Sequence, residues 1–280
     1  MSWSLRYASH LGYRSPESPL FRATVGNTEL EPHIKLAADL GLGGVQFALA
    51  ITRAAEEQAR VAAALAEWNL EAGCMLYAPI EVVRSPLWAQ AYRDVHVDIE
   101  KRVRAAIRVA HTIQSRYIAV LSGADSQLPK SVQRQNFVDN LTAAAKVAAS
   151  ENVILCLENV AATSLPNMLL AHIEEAHSVV RQINHPAVKL IFDTAHVHAT
   201  DGNVVEHLKR CLEETVLVQL ADSPGRMEPG TGAIDFAGVV EVLKRKGYRG
   251  LVELEHGWSE STPECESAGV QRLREWDAAT

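Results

Sequence analysis

The sequence predicts a (β/α)₈ TIM barrel, and three observations lead to that fold class. Short apolar runs alternate with longer segments of helical period from end to end, which is the pattern of parallel strands joined by crossover helices. The chain has 280 residues, a length typical of such a barrel as one unit. No glycine-rich nucleotide-binding turn follows any strand, which disfavours the alternative of an open doubly wound sheet. We therefore expect one barrel domain spanning residues 1–280.

Composition and period delimit eight strand–helix units. The predicted strands are Leu5–His10, Gly44–Leu49, Glu71–Tyr77, Tyr117–Leu121, Val153–Glu158, Val188–Asp193, Val216–Leu220 and Gly250–Glu255. The predicted helices are Leu30–Leu40, Arg53–Trp68, Gln90–Gln114, Ser131–Ala149, Asn167–Ile183, Val204–Leu212, Phe236–Lys246 and Pro263–Trp276. Eight such units in this length favour a closed barrel.

Several boundaries of these elements carry residues with a physical reason to be there. Gly41 and Gly43 follow the first helix, as glycines at helix C-termini do. Asn203 and Asp235 are predicted to cap the helices that start at the next residue. Pro186 blocks continuation of the helix before the sixth strand.

Composition and charge exclude several classes of function. Hydrophobic residues make up 48% of the chain and charged residues 22%, the ordinary balance of a globular protein. The formal net charge of −7 disfavours a nucleic-acid partner, because such partners select a clustered basic surface. The four cysteines are far apart, and we expect them to be reduced thiols. No signal-like or membrane-spanning apolar run occurs, so we expect a cytoplasmic protein without a membrane partner.

Four predicted strands end in a polar residue that could bind a metal. Glu158, Asp193 and Gln219 follow apolar runs in strands five, six and seven, and Glu255 follows the run in strand eight. In a barrel the carboxyl ends of the strands surround one mouth, where reactive groups lie. Three carboxylates there would repel one another unless a cation neutralised them. Oxygen ligands favour Mg²⁺ or Mn²⁺, with Co²⁺ and Zn²⁺ as alternatives.

Each of these residues also has a simpler interpretation. A single acid at a strand end is more often a helix cap or part of a surface salt bridge, so only the joint pattern indicates a metal site. In strand eight, Glu253 competes with Glu255, because alternate residues share one face of a strand. Glu255 is preferred as the ligand because it lies nearer the C-terminal end of the strand.

Three further residues are candidates for substrate binding. His196 lies one short turn beyond Asp193, and it could equally support a ligand or lie on the surface. Arg226 lies in the glycine- and proline-rich loop 223–232, where it could bind a substrate carboxylate or phosphate with two hydrogen bonds or simply be solvated. His10 ends strand one and could reach the same mouth.

Three segments resemble the hydroxypyruvate isomerase family. They are Phe192–Asn203, Val218–Phe236 and Gly247–Glu255, and the resemblance is specific over residues 150–258. That family belongs to the xylose-isomerase-like barrels, together with ketose 3-epimerases and inosose dehydratases. The resemblance therefore implies the xylose-isomerase-like form of the TIM barrel.

The resemblance also implies roles for individual residues. Glu158 and Glu255 would contact the metal and transfer protons, and Asp193 and Gln219 would complete the metal site. His196 and Arg226 would contact substrate. The epimerases usually have histidine at the position of Gln219, so glutamine here favours the hydroxypyruvate isomerase branch. His10 in strand one and Gln46 in strand two differ from the residues that the resemblance predicts.

A second resemblance points to another class of enzyme. The runs Glu158–Ala161 and Asp193–His196 are also similar to metal-dependent abasic-site endonucleases, which share the barrel. Those enzymes have a histidine-rich segment after strand seven, where this chain has Arg226–Glu228. That difference and the negative net charge disfavour DNA repair. A non-catalytic sugar-binding barrel would lack one of the two glutamates, and both are present.

These residues predict an isomerase of a small hydroxy-keto acid or sugar, an aldose–ketose isomerase of the hydroxypyruvate or 2-oxo-tetronate type. A metal would polarise adjacent oxygens of a small hydroxy-carbonyl substrate. One glutamate would remove a proton to give a cis-enediolate, and the other would return a proton at the neighbouring carbon. The same groups could serve a ketose 3-epimerase or an inosose-type dehydratase. Assembly into a homo-oligomer is left open.

Overall fold

The computed structural model describes residues 3–279, and one parallel β-sheet lies at its centre. Its strands are β1 (Arg6–His10), β2 (Gly44–Gln46), β3 (Glu71–Ala72), β4 (Met75–Leu76), β5 (Tyr117–Val120), β6 (Ile154–Glu158), β7 (Val188–Asp193), β8 (Thr215–Leu220) and β9 (Leu251–Leu254). Their order in the sheet is β3-β2-β1-β9-β8-β7-β6-β5-β4.

The two ends of this order meet, because β3 and β4 are consecutive segments of one interrupted strand. β3 pairs with β2, and β4 pairs with β5. Ala72 also bridges Ser115, which lies just before β5. Gly73 and Cys74 lie between the two segments, outside any strand. The predicted (β/α)₈ barrel is therefore confirmed, with its third strand broken at these two residues.

Helices cover the outside of the barrel. They are α1 (Arg22–Val25), α2 (Leu30–Asp39), α3 (Ala55–Glu67), α4 (Ile80–Val83), α5 (Tyr92–Ile113), α6 (Lys130–Ser150), α7 (Ile173–Ile183), α8 (Thr194–Asp201), α9 (Val204–Cys211), α10 (Phe236–Arg245) and α11 (Pro263–Ala279). Short 3₁₀ segments occupy Ala50–Thr52, Leu87–Ala89 and Leu212–Glu214. Within residues 3–279, no helix combines the length and apolar character that crossing a membrane needs.

The strands are apolar because helices bury one face and the barrel interior buries the other. In β7, for example, every residue except Lys189 is buried. The buried positions of the amphipathic helices complete the core, as with Val239, Val240 and Leu243 of α10.

Three predicted features are wrong. The second strand ends at Gln46 rather than Leu49. The helix predicted to start at Asn167 is α7, which starts at Ile173, because Asn167 has φ of 64° and lies in an irregular segment. Asn203 does not cap α9, since it takes the left-handed conformation and its side chain accepts no capping hydrogen bond. The predicted cap at Asp235 is confirmed, because its side chain accepts from Gly238 N at 2.9 Å.

Candidate active site

The carboxyl ends of four neighbouring strands bring the predicted metal ligands to one mouth of the barrel. Glu158 ends β6, Asp193 ends β7, Gln219 is the penultimate residue of β8, and Glu255 directly follows β9. The strand register places Asp193 opposite Gln219. Gln219 in turn lies opposite Glu253 of β9.

Arg226 joins two of these carboxylates. Its Nη2 donates to Asp193 Oδ2 at 2.7 Å and to Glu255 Oε2 at 2.6 Å. Its Nη1 lies 3.2 Å from His196 Nε2. The arginine side chain is only 8% exposed, so its contacts with the protein leave little of the guanidinium for solvent.

The charges of this cluster act on one another. Burial alone would raise the pKa of Asp193, but Arg226, with His196, outweighs burial and lowers it. Burial opposes the charge of Arg226, and the carboxylates of Asp193 and Glu255 nevertheless raise the pKa of the guanidinium. The pair therefore stays ionised inside the protein, as a buried ion pair must to avoid an uncompensated charge.

Asp193 serves the local backbone as well as the mouth. Its Oδ1 accepts from Ala195 N at 2.8 Å and from His196 N at 3.0 Å, which caps α8. Its Oδ2 faces Arg226. Asp193 is therefore a helix cap through Oδ1, as the simpler interpretation of a strand-end acid predicts, while its Oδ2 points into the site.

Glu158 forms a second group with Asp193 and His196. One ligand atom from each of these three residues lies within 4.8 Å of the others. His196 Nε2 is 3.4 Å from Glu158 Oε1, and the side chain of Glu158 is 9% exposed. Burial, and then the charges of Glu255 and Asp193, raise the pKa of Glu158 well above its usual value. Burial lowers the pKa of His196 to about 4, which keeps its ring neutral.

Gln219 and Glu253 meet just below this level of the barrel. Gln219 Nε2 donates to Glu253 Oε2 at 3.0 Å. Gln46 Nε2 donates to both Glu253 Oε2 and Glu255 Oε1 at 3.1 Å, so both glutamates face the barrel interior. Burial raises the pKa of Glu253 to about 8, and that of Glu255 to about 7 against the opposing charge of Arg226.

The loop that carries Arg226 is held by one buried carboxylate. Asp222 Oδ1 accepts from Ser223 N at 2.8 Å and Ile234 N at 3.2 Å. Its Oδ2 accepts from Gly230 N at 2.8 Å and Gly232 N at 2.7 Å. Asp222 therefore gathers both ends of the segment 223–234 around itself.

A cavity of about 490 Å³ opens beside Arg226, and its wall includes His10, Tyr13, Arg14 and Arg22. The guanidinium carbons of Arg14 and Arg226 lie 5.2 and 5.3 Å from the centre of the Tyr13 ring. Within the described range 3–279, no carboxylate is within ion-pair distance of Arg14. Two guanidinium groups thus face one aromatic ring, and of these two Arg226 is the one paired with acids.

His10 contributes its ring to this wall. Its Nε2 lies 3.0 Å from the carbonyl oxygen of His256, and its Nδ1 accepts from Gly12 N at 3.1 Å. Burial lowers the pKa of His10 to about 3. Because backbone groups occupy both nitrogens, a substrate at this wall would meet the face of the ring.

Glu158, Asp193 and His196 form a possible metal site, and the oxygen groups near them are of the kind that binds divalent cations. Glu158, Asp193 and Glu255 supply carboxylate oxygens, and Gln219 supplies an amide oxygen, Oε1, that is buried without a partner among residues 3–279. A buried acceptor without a hydrogen bond is costly. An oxygen-binding cation would satisfy it and would also neutralise the clustered acids.

Sequence reasoning weighed Glu253 only as a competitor of Glu255 for the metal and noted Gln46 only as a difference in strand two. It did not predict the contact between these two residues or the aromatic contact of Tyr13. A signal existed for Glu253, which shares the inward face with Glu255. The contact between Gln46 and Glu253 joins residues 207 positions apart, so only closure of the barrel brings it about. His196 lies on the short helix α8 rather than in a simple turn.

This geometry agrees with the comparisons with known proteins. The model of a protein family described as the xylose isomerase-like TIM barrel matches residues 34–276 of this chain. The chain belongs to that family. The resemblance to hydroxypyruvate isomerases is also confirmed by several relatives of modest identity.

Three relatives illustrate the range. A putative hydroxypyruvate isomerase of Mus musculus is 33% identical over 162 residues, which cover 56% of this chain and 57% of that protein. The hydroxypyruvate isomerase of Escherichia coli K12 is 25% identical over 236 residues, covering 82% and 89% of the two chains. A putative hydroxypyruvate isomerase of Homo sapiens is 26% identical, covering 98% and 96%.

Solved structures share the fold. A Brucella melitensis protein described as an AP endonuclease of family 2 superposes with a TM-score of 0.80 at 24% identity, over 97% of this chain and 98% of that one. D-psicose 3-epimerase of Clostridium cellulolyticum H10 has a TM-score of 0.76 at 16% identity, covering 98% and 99%. The IOLI protein, described with a bound zinc atom, has a TM-score of 0.74 at 17% identity, covering 97% of each chain.

Proposed function

We propose that this chain is a metal-dependent isomerase of a small hydroxy-keto acid, such as hydroxypyruvate or a four-carbon 2-oxo acid. The observation that carries the proposal is the convergence of Glu158, Asp193 and Glu255 at one mouth, beside the unpartnered oxygen of Gln219. Relatives named hydroxypyruvate isomerase and 2-oxo-tetronate isomerase support the same reaction class.

Glu158, Asp193, Gln219 and Glu255 would hold the cation. When bound, a divalent cation supplies Lewis-acid stabilisation of negative charge on adjacent substrate oxygens. The oxygen-rich set favours Mg²⁺ or Mn²⁺. The nearness of His196 to Glu158 and Asp193 adds one nitrogen donor, which makes Zn²⁺ the alternative.

Glu158 and Glu255 would move the protons. Each is largely buried, and burial raises the pKa of each carboxyl group, which brings a glutamate toward the range useful for acid–base catalysis near neutral pH. One glutamate would take a proton from the hydroxyl-bearing carbon next to the carbonyl. The other would deliver a proton to the former carbonyl carbon, and the hydroxyl proton would pass to the oxygen of that carbon, which completes an aldose–ketose isomerisation of the substrate.

The arginines favour an acid as the substrate. Arg226 already donates to Asp193 and Glu255, so the role first expected of it, binding a substrate carboxylate, would require it to share those donors. Arg14 reaches the same cavity without an acidic partner among residues 3–279. We therefore propose that Arg14 assists Arg226 with the substrate carboxylate, while His196 and the ring of His10 bound the reacting end.

One observation favours a ketose epimerase as the second candidate. The cavity of about 490 Å³ exceeds what a three-carbon acid needs, so a longer sugar would also enter. The same two glutamates could return the proton to the original carbon from its opposite side.

The two candidates are separated by a panel of hydroxy-keto acids and free ketoses incubated in D₂O with Mn²⁺ or Mg²⁺. We expect turnover of an acid. Solvent deuterium on the product carbon that receives the proton should be seen in proton NMR as loss of the signal of that proton. Turnover of ketoses at C3 with no activity on any acid would replace the isomerase with the epimerase. Acid turnover without deuterium in the product would contradict proton transfer through a glutamate.

A further inference from the structure

We infer that Glu253 is a positioning residue, which fixes the orientation of the Gln219 amide so that its oxygen faces the metal site. This inference rests on the proposed cation site and adds a residue that does not itself bind the cation. An amide side chain has a donor end and an acceptor end of almost the same shape. Only its hydrogen-bond partners decide which end points into a site.

One hydrogen-bond partner, Glu253, determines which end of the Gln219 amide points into the site. Glu253 is fully buried and lies directly opposite Gln219 in the parallel pair of β8 and β9. Its Oε2 accepts from Gln219 Nε2 at 3.0 Å. A carboxylate only accepts hydrogen bonds, so it holds the donor end of the amide. The other end, Gln219 Oε1, is left without a partner among residues 3–279.

Glu253 is itself fixed by donors from three directions. Cys74 N donates to Glu253 Oε1 at 2.7 Å. Gln46 Nε2 donates to Oε2 at 3.1 Å and also to Glu255 Oε1 at 3.1 Å. Together with Gln219, these partners of Glu253 are all N–H groups, the pattern expected around a carboxylate acceptor. Gln46 therefore links this carboxylate to the proposed ligand Glu255.

The break between β3 and β4 makes room for the Glu253 carboxylate and supplies it with a backbone donor. Cys74 lies in the break, and its N–H points to Glu253 instead of a neighbouring strand. A Cβ atom added to Gly73 would overlap Glu253 Oε1. The chain thus interrupts a barrel strand, and has no side chain at Gly73, at the place where the carboxylate needs a backbone donor and room.

Two substitutions separate the contact from the charge. Glu253→Gln keeps the shape, but its new NH₂ group would face Gln219, which would turn its own NH₂ toward the cation. Glu253→Asp keeps the charge but withdraws it from Gln219. We expect both variants to bind Mn²⁺ about 10- to 100-fold more weakly than the unaltered protein, the usual loss when a partner of a metal ligand is removed.

The experiment is calorimetric titration of the full chain with Mn²⁺ at one fixed pH for all variants. The double variant Glu253→Gln with Gln219→Glu should recover most of the affinity, because its exchanged carboxylate accepts from the exchanged amide and still offers an oxygen to the cation. Glu100→Gln, on the exposed face of α5, is the control and should bind normally. Thermal unfolding in chelator checks that each variant is folded.

Three results bear on the inference. Normal affinity of Glu253→Asp would overturn it, because charge without contact would then suffice. A double variant no better than Glu253→Gln would overturn it as well, since the two residues would not act as a pair. If the unaltered protein bound no divalent cation, the proposed function would fail with it, and that outcome is distinct from normal binding by the variants. Gly73→Ala, which displaces the Glu253 carboxylate by overlap, replaces any variant that does not fold.

Discussion

Replacing Arg226 with methionine should change stability and metal affinity in opposite directions. Methionine keeps much of the apolar stem but removes the charge that lies between Asp193 and Glu255. Each buried pair contributes roughly 4 kcal/mol of Coulomb energy at an effective dielectric constant of about 20. The desolvation of the guanidinium offsets part of that sum, so we expect a net loss of about 3–5 kcal/mol in chelator.

Thermal unfolding followed by circular dichroism measures this loss. At about 2–4 °C per kcal/mol for a chain of this size, the melting temperature should fall by roughly 6–20 °C. The loss should grow as pH rises through the pKa of Glu255, about 7. Below that pKa Glu255 is protonated and does not depend on the charge of Arg226, whereas above it the carboxylate is ionised and does. Because the fold raises this pKa above its unfolded value, the stability that protonated Glu255 contributes at low pH is lost as the pH rises.

The same variant should bind Mn²⁺ more tightly, because a positive charge that shares the carboxylates with the cation has gone. Saturating Mn²⁺ should then recover most of the lost stability. Arg104→Met is the control, since the exposed Arg104–Glu100 pair contributes about 0–1 kcal/mol. Weaker Mn²⁺ binding by Arg226→Met, or no loss of stability in chelator, would refute the view that Arg226 neutralises these acids.

Four further substitutions test the rest of the site. Asp193→Asn keeps an oxygen to cap α8 but loses its charge, so we expect weaker Mn²⁺ binding in calorimetry and no turnover; full turnover after exhaustive chelation would contradict a metal role. Glu158→Gln and Glu255→Gln should each lower kcat by about 10²–10⁴-fold or more, and the rate of deuterium incorporation should fall by the same factor. A fully active variant would show that the replaced glutamate does not transfer a proton. Arg14→Gln should raise KM for acids about 10-fold, as expected from loss of one charged hydrogen bond, and leave kcat unchanged. The exposed control Arg108→Gln should change neither, and an equal effect there would indicate only general electrostatics.

The sequence was sufficient for the elements that carry the site. An oxygen-bearing side chain at the end of an apolar run is a local feature, and barrel closure then brings Glu158, Asp193, Gln219 and Glu255 together without further information. The strand limits came out within a few residues for the same reason. The family assignment also depended on local motifs, which lie mainly in residues 150–258.

What the sequence did not predict depends on contacts between distant parts of the chain. The pairing of Arg226 with Asp193 and Glu255 requires a loop conformation with φ of 55° at Arg226, which its neighbours in sequence do not specify. The helix α8 was missed because it contains eight residues and lacks a sustained apolar period. Gln46 and Glu253 act together only because the sheet is closed.

The contacts of Asp222 also have a consequence for substrate selection. Four backbone N–H groups of segment 223–234 converge on that carboxylate, so this wall of the cavity takes its shape without help from a bound molecule. A preformed wall selects molecules by shape and charge as they enter the cavity, whereas a mobile lid selects them only after it has closed. Molecules that do not fit therefore dissociate after the first encounter, without a cycle of lid closing and opening.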